Sequence, residues 1–277
     1  MGLRINTNVS AINAQNNLSR TKQAQEQSLQ RLSSGLRINK SADDAAGLAI
    51  SENLKTQIRS NQQAERNAND GVSFLQVAEG GLNEVGNILV RLRELSVQAA
   101  SDTIGDKERQ YVDIEVQQMK DEVQRISQVT RFNNKQVLNG QGGELELQIG
   151  SSNDIFEDRL KLDLNSFNTT ASTLGIDSLN FKDKSGAQEA MGQIDNALNI
   201  VNANRASLGA VQNRLQSTIN NLQVTRENLN ASNSRIRDAD IAQESSEFIK
   251  NNILQQASIS VLAQANATPK MGLNLLS

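Results

Sequence analysis

The sequence predicts a mainly α-helical fold, a bundle of long coiled-coil helices with a small β-hairpin element at mid-chain. Three observations carry this expectation. Ile194, Val201, Leu208, Leu215, Leu222, Leu229 and Ile236 put an apolar residue at every seventh position without a miss. Such a repeat keeps one helix face on a partner and imposes a left-handed supercoil; at ~1.5 Å per residue the seam is roughly 60 Å long. Shorter runs with the same spacing occur at Val112, Val116, Met119, Val123 and Ile126, and at Leu82, Val85, Leu89 and Leu92. The chain holds 1 Pro, at position 269, which leaves nearly all the rest free to be helical. Long helices that need one another make assembly the first functional hypothesis.

Taken in order, Asn8 to about Leu32 reads as a weak amphipathic helix in which Val9, Ile12, Leu18, Leu29 and Leu32 stand among Asn, Gln, Ser and Ala. Ser33-Ser34-Gly35 interrupts it. Ser41 is suited to cap the next helix, with Asp44 three residues on in the manner of a capping box. That helix is expected to run to about Ala100, with a break near Asn69-Asp70-Gly71, and a turn at Gly105-Asp106 leads into the helix carrying Val112 to Ile126. After Phe132 the period changes to two. Leu145, Leu147 and Ile149 alternate, as do Leu160, Leu162 and Leu164, which predicts a hairpin over about 140–165. Asn165 to Ser185, rich in Ser, Thr, Asn and Asp, reads as an exposed connection. The heptad helix then runs to Ile236, Arg237-Asp238-Ala239-Asp240 forms a charged joint, and Ile241 to Ala265 is a second weak helix that Pro269 ends. Each terminal helix offers too little apolar surface to offset its ordering entropy, so each needs the other and neighbouring copies.

Composition narrows the function. Of 277 residues only 3% are aromatic, and His and Cys are both 0. Ser–His and Cys–His nucleophile pairs, zinc sites and His–carboxylate iron sites are thereby excluded, and no catalytic, cofactor or metal residue is assigned. A net charge of −3 from 28 basic and 31 acidic residues gives no basic stripe for nucleic acid. No apolar run reaches the ~18 residues of a membrane span, and residues 1–17 lack the apolar core of a cleavable secretory signal. Asp43-Asp44 reads as a helix cap rather than paired catalytic carboxylates, and Asp238 and Asp240 read as a charged joint between helices rather than a metal site. The glycines from Gly140 to Gly143 lack the Lys-Ser or Lys-Thr of a phosphate loop.

A resemblance then appears in several long motifs. They are Arg4-Ile5-Asn6-Thr7-Asn8, Arg31-Leu32-Ser33-Ser34-Gly35-Leu36-Arg37-Ile38-Asn39, Asp43-Asp44-Ala45-Ala46-Gly47 and Arg66-Asn67-Ala68-Asn69-Asp70-Gly71. Leu208 to Arg214, Ser234 to Asp240, Ile253 to Ala257 and Ser260 to Asn266 continue the series. In this order they resemble bacterial flagellin over nearly the whole chain apart from about Asn139 to Gln193. Asn134 departs from the pattern, standing where the family commonly has Gly after Phe-Asn. The resemblance implies a minimal flagellin without large outer domains, a subunit that polymerises with itself into the filament of a motility organelle. Residues 1–43 and 238–277 would pair as an inner core, and 44–237 would form the surrounding shell. It also implies secretion through the flagellar type III apparatus, and as partners an export chaperone, the cap and the hook–filament junction proteins. A junction protein, a coiled-coil scaffold and an enzyme are the alternatives, the last opposed by the absent His and Cys.

One group of surface residues follows from the resemblance and a second from the polar mid-chain stretch. Arg91 and Leu95, one turn apart, with Glu115 on the next helix, match flagellin positions that contact the animal flagellin-sensing Toll-like receptor, and they also serve contacts between subunits. They are expected to be accessible in the monomer. Ser166, Thr169, Thr170, Ser172 and Thr173 lie in the expected exposed connection and are candidates for O-glycosylation.

Overall fold

A computed structural model of the chain describes residues 7–274. Five helices and two small antiparallel sheets follow in the order α1 (Val9–Ser34), α2 (Ala45–Ala99), α3 (Asp106–Val129), β1 (Arg131–Phe132), β2 (Lys135–Gln136), β3 (Glu144–Gln148), β4 (Arg159–Asp163), a 3-10 turn (Leu164–Phe167), α4 (Lys184–Arg237) and α5 (Ile241–Asn274). The residues group into two compact units. One comprises Gln57–Glu227, and the other gathers the two chain ends, up to Thr56 and from Asn228 onward.

The core of the central unit is an apolar stripe on each of three helices. From α2 come Ala68, Leu75, Ala78, Leu82, Val85, Leu89, Leu92 and Leu95; from α3, Val112, Val116 and Val123; from α4, Ile194, Val201, Leu208, Leu215 and Ile219. Their three- and four-residue steps are those that keep a helix face on its neighbours. The hairpin closes this core. Leu145 pairs across from Leu162 and Leu147 from Leu160, while Glu146 and Lys161 occupy the alternate register position. Glu146 pairs with Arg159 at 2.9 Å and Lys161 at 3.8 Å.

The break expected at Asn69-Asp70-Gly71 does not occur; α2 runs through it. Gly71 serves a close approach instead. A Cβ there would stand 2.6 Å from Leu147 Cδ1 and 3.3 Å from Leu215 Cδ1, so the glycine makes the notch in which the hairpin seats against α4. Beyond α3, Asn133 and Asn134 adopt φ of 47° and 65°. Two successive left-handed residues make the two-residue turn that joins β1 to β2, and Asn tolerates that conformation well. The departure from Gly at Asn134 therefore leaves the turn intact. Phe132, on β1, meets Phe74 edge to face at 5.6 Å.

The stretch expected to be an exposed connection keeps most of its polar residues exposed but is pinned to the core, since Phe167, Thr169, Ala171, Leu174, Ile176, Leu179 and Phe181 are all buried. They recur at two- or three-residue steps among Ser, Thr, Asn and Asp, so the segment lies over the core with most of its polar residues outward. Buried Asp113 anchors it by accepting the Phe181 N–H at 3.1 Å.

In the terminal unit α1 lies along α5. Asn8 caps α1 through its side-chain oxygen, and Gly35 ends it in the left-handed conformation at φ 70°. The two joints pair directly. Arg37 N–H donates to the Arg237 carbonyl at 2.7 Å, and Ala239 N–H to the Gly35 carbonyl at 2.9 Å. Asp240 caps α5, accepting from the N–H groups of Ala242 and Gln243 at 2.9 and 3.2 Å. The cap of α2 is Asp44, which accepts from the Gly47 N–H at 2.8 Å; Ser41 sits in the turn before it. Asp43 takes the N–H groups of Asn39 and Lys40 at 3.0 Å each, so one carboxylate caps the helix while its neighbour ties the loop. Proline does not end α5, which continues to Asn274.

Candidate assembly surfaces

The heptad residues grade along α4. Ile194, Val201, Leu208 and Leu215 are buried in the central unit, whereas Leu222, Leu229 and Ile236 are only half-buried. The seam is thus closed within one chain at its first end and partly open toward its last. Glu65 of α2 supports the transition, holding Arg226 at 2.5 Å and Gln223 at 2.8 Å.

Arg91, Leu95 and Glu115 are only partly brought together on the surface. Arg91 donates to Glu94 at 3.0 Å and Glu115 at 3.1 Å, bridging α2 to α3. Both carboxylates, Glu94 first, hold the guanidinium more firmly in its charged form. Leu95 is 1% exposed and belongs to the core. The expectation of an accessible apolar anchor is corrected here, because the four-residue step from Arg91 to Leu95 turns the second side chain from the rim of the helix toward the α2 stripe. The exposed apolar residues nearby are Val90 and Val97, which with Arg93 and Glu94 line a shallow hollow of about 340 Å³. Arg93 reaches across to Asp195 on α4 at 2.6 Å.

Of the glycosylation candidates, Ser166, Ser172 and Thr173 are exposed and Thr170 is half-buried. Thr169 is fully buried and donates to the Leu138 carbonyl at 3.3 Å. It leaves the set, because its neighbours Phe167 and Ala171 face inward with it.

Sequence reasoning missed two features. Arg109 is a buried arginine whose guanidinium donates to the Ala99 carbonyl at 2.9 Å, the Ser101 carbonyl at 3.0 Å and Asp106 at 2.8 Å. It supplies a donor to the last carbonyl of α2 and another to the turn that follows. Its place three residues after an acidic N-terminal residue of α3 was the available signal. The second feature is Ile155-Phe156, which projects from the β3–β4 loop with Phe156 85% exposed. Asp154 fixes that loop by accepting the N–H groups of Phe156 and Glu157 at 2.7 and 3.0 Å.

Among the described residues no group of three or more His, Cys, Asp or Glu is placed to hold a metal ion, and no helix is long and apolar enough to cross a membrane. What the chain has in quantity is apolar surface without a partner. Val9, Ile12 and Leu29 on α1 and Ile249, Ile253, Ile259 and Val261 on α5 remain exposed although the two helices lie together. A long-helix subunit with an unfinished terminal pair and a partly open heptad seam defines a self-assembling structural protein.

Comparison gives that class a family. The bacterial flagellin N-terminal helical region matches residues 5–142, and the bacterial flagellin C-terminal helical region matches residues 191–276. A flagellin of Halalkalibacterium halodurans is 44% identical over 98% of this chain and 99% of its own. A flagellin of Bacillus subtilis is 43% identical over 99% of this chain and 100% of its own. The crystal structure of Bacillus cereus flagellin superposes with a TM-score of 0.51 at 31% identity, covering 57% of this chain and 88% of that one. The chain belongs to the bacterial flagellin family: it is a structural subunit of the flagellar filament and not an enzyme.

Proposed function

We propose that the chain leaves the cell through the flagellar type III apparatus and polymerises outside it. Residues 1–43 and 238–277 form the inner core of the filament, and 44–237 the shell around it. The observation that carries this reading is the unpartnered apolar face of the terminal pair. Among the residues of α1 only Ala14 and Ser28 are buried, while Ile12 and Ile253 stay 49% and 62% exposed. Such a face is a liability in a monomer and a contact in a lattice. The half-buried end of the heptad seam, Leu222, Leu229 and Ile236, is suited to the same use.

With Leu95 interior, the polar contact between subunits falls to Arg91 and Glu115, and the same pair is the surface offered to the flagellin-sensing Toll-like receptor. The export chaperone docks on α5, whose exposed apolar residues need cover before assembly; cap and hook–filament junction proteins meet the ends of the polymer. O-linked sugars, where added, go on Ser166, Ser172 or Thr173, with Thr170 less accessible. Electron microscopy of the purified protein after salting out tests the reading: long tubes are expected, and a sample that stays monomeric refutes it. Arg91→Ala should reduce both receptor signalling by monomer and swimming of the cells; full motility removes Arg91 from the lattice contact, and full signalling removes it from the receptor surface.

A further inference from the structure

We propose that Asn8 is a positioning residue that locks α1 and α5 in one register, by supplying the hydrogen bond that Pro269 withholds from Ala265. In an uninterrupted helix the carbonyl of residue 265 accepts from the N–H of residue 269. Position 269 is proline, which has no N–H, yet α5 continues to Asn274. The Ala265 carbonyl is thereby left over inside a helix, at a half-buried residue, and such a group requires another donor. Asn8 Nδ2 provides it at 2.8 Å.

The other end of the same amide is also in use. Asn8 Oδ1 accepts from the Ala11 N–H at 3.1 Å, which caps α1. The two bonds together specify the residue. Asp and Ser supply a capping oxygen but not both an acceptor for α1 and an amide donor for α5. The amide orientation is fixed as well, because an N–H must face the carbonyl and an oxygen must face the Ala11 N–H.

The register argument follows from where this bond lies. The opposite end of the helix pair is fixed at the joint, where Ala239 N–H meets the Gly35 carbonyl at 2.9 Å and Arg31 lies 3.6 Å from Glu244. The run from Gly35 back to Asn8 and the run from Ala239 on to Ala265 differ in length by one residue, about 1.5 Å of helix. Between these pins the apolar contact is sparse and sets register weakly. Sliding α1 by one turn moves Asn8 about 5.4 Å along α5, to carbonyls that already accept within the helix. Because the chain holds 1 Pro, only Ala265 is freed in this way.

A double-mutant cycle on the polymerised full-length protein, where neighbouring copies cover α1 and α5, tests the lock, read by amide hydrogen exchange across residues 12–20. Asn8→Asp keeps the capping oxygen and adds a charge favoured at a helix N-terminus, but it removes the donor and sets a carboxylate against the Ala265 carbonyl. Exchange protection should fall about tenfold. In the Pro269→Ala background the N–H of residue 269 satisfies Ala265, so the same Asn8→Asp change should cost less than twofold. Pro269→Ala alone should not lower protection. An equal loss from Asn8→Asp in both backgrounds reduces Asn8 to an ordinary cap and overturns the proposal, as does no loss in either. The parent protein is polymerised first, so a chain that forms no filament fails the assembly reading and not the lock; failure of Asn8→Asp to polymerise counts as the expected loss if Pro269→Ala restores it and overturns the proposal if it does not.

Discussion

Leu215 and Leu229 occupy the same seam fourteen residues apart, and the monomer treats them differently. Leu215 is fully buried, against Gly71 and the hairpin, whereas Leu229 is half-buried. Leu215→Ala removes buried methyl groups and leaves a space that α2, β3 and α4 close only in part. Substitutions of this kind cost about 2–5 kcal/mol, and in a unit of this size each kcal/mol lowers the melting temperature by roughly 2–4 °C. A fall of roughly 4–20 °C is expected. Leu215→Asp should fall further, since it places an unpaired charge among apolar side chains. Leu229→Ala should cost less than half as much in the monomer but raise the concentration needed for filament growth. Calorimetry of monomer and light scattering of seeded polymer separate the two effects. Equal melting losses at both positions would refute the graded seam, and no loss at Leu215 would refute its burial.

Arg109→Ala should destabilise by about 2–4 kcal/mol, because it strips the donors from the Ala99 carbonyl at the end of α2 and the Ser101 carbonyl in the turn after it; Arg109→Lys should not restore the loss, since a point ammonium cannot reproduce the fork. Denaturant melts of the two variants check this. Several surface carboxylates are held below their ordinary range: Glu52 chiefly by the hydrogen bond from Arg237, Asp102 by Lys184, Glu122 by Arg125 and Asp195 by Arg93. A depressed native value contributes stability that is present above the unfolded value and lost as pH falls through the native one. Melting temperature should therefore be flat at neutral pH and decline below about pH 4, with a shallower decline in Glu52→Gln. Hydrogen exchange in monomer should be slowest in α2 around Leu82 to Leu92 and faster in α1 and α5, which bury little; polymerisation should slow α1 and α5 most.

The parts of the fold that repeat were legible in the sequence. A seven-residue spacing survives any tertiary context that buries one helix face, so α4 was foreseen to within a few residues, and period-two alternation gave β3 and β4. Local chemistry with two solutions was harder to read. Gly71 signals either a break or a close approach, and only Leu147, 76 positions later in the chain, decides between them. Ser41 and Asp44 are both capping residues, and the turn before α2 selects the second. Asn165 to Ser185 misled because its polar residues outnumber its apolar ones; what matters is that Leu174, Ile176, Leu179 and Phe181 share one side. The surface pair Arg91–Glu115 came through the resemblance, and Leu95 was misplaced because the facing of a helical residue depends on the whole stripe it belongs to rather than on one four-residue step.

That mid-chain segment has a practical consequence for carrying cargo. Its inward residues act as a row of pegs, with short outward stretches between them at Ser172-Thr173 and Asp177-Ser178. A foreign peptide spliced between two pegs extends an exposed turn and leaves the seats filled, and exposed turn positions are where insertions are tolerated. One spliced at Thr169 or Ile176 must drag a peg from its socket. The chain therefore carries two ready attachment points for display and, a few residues to either side, positions where the same graft unseats the wall.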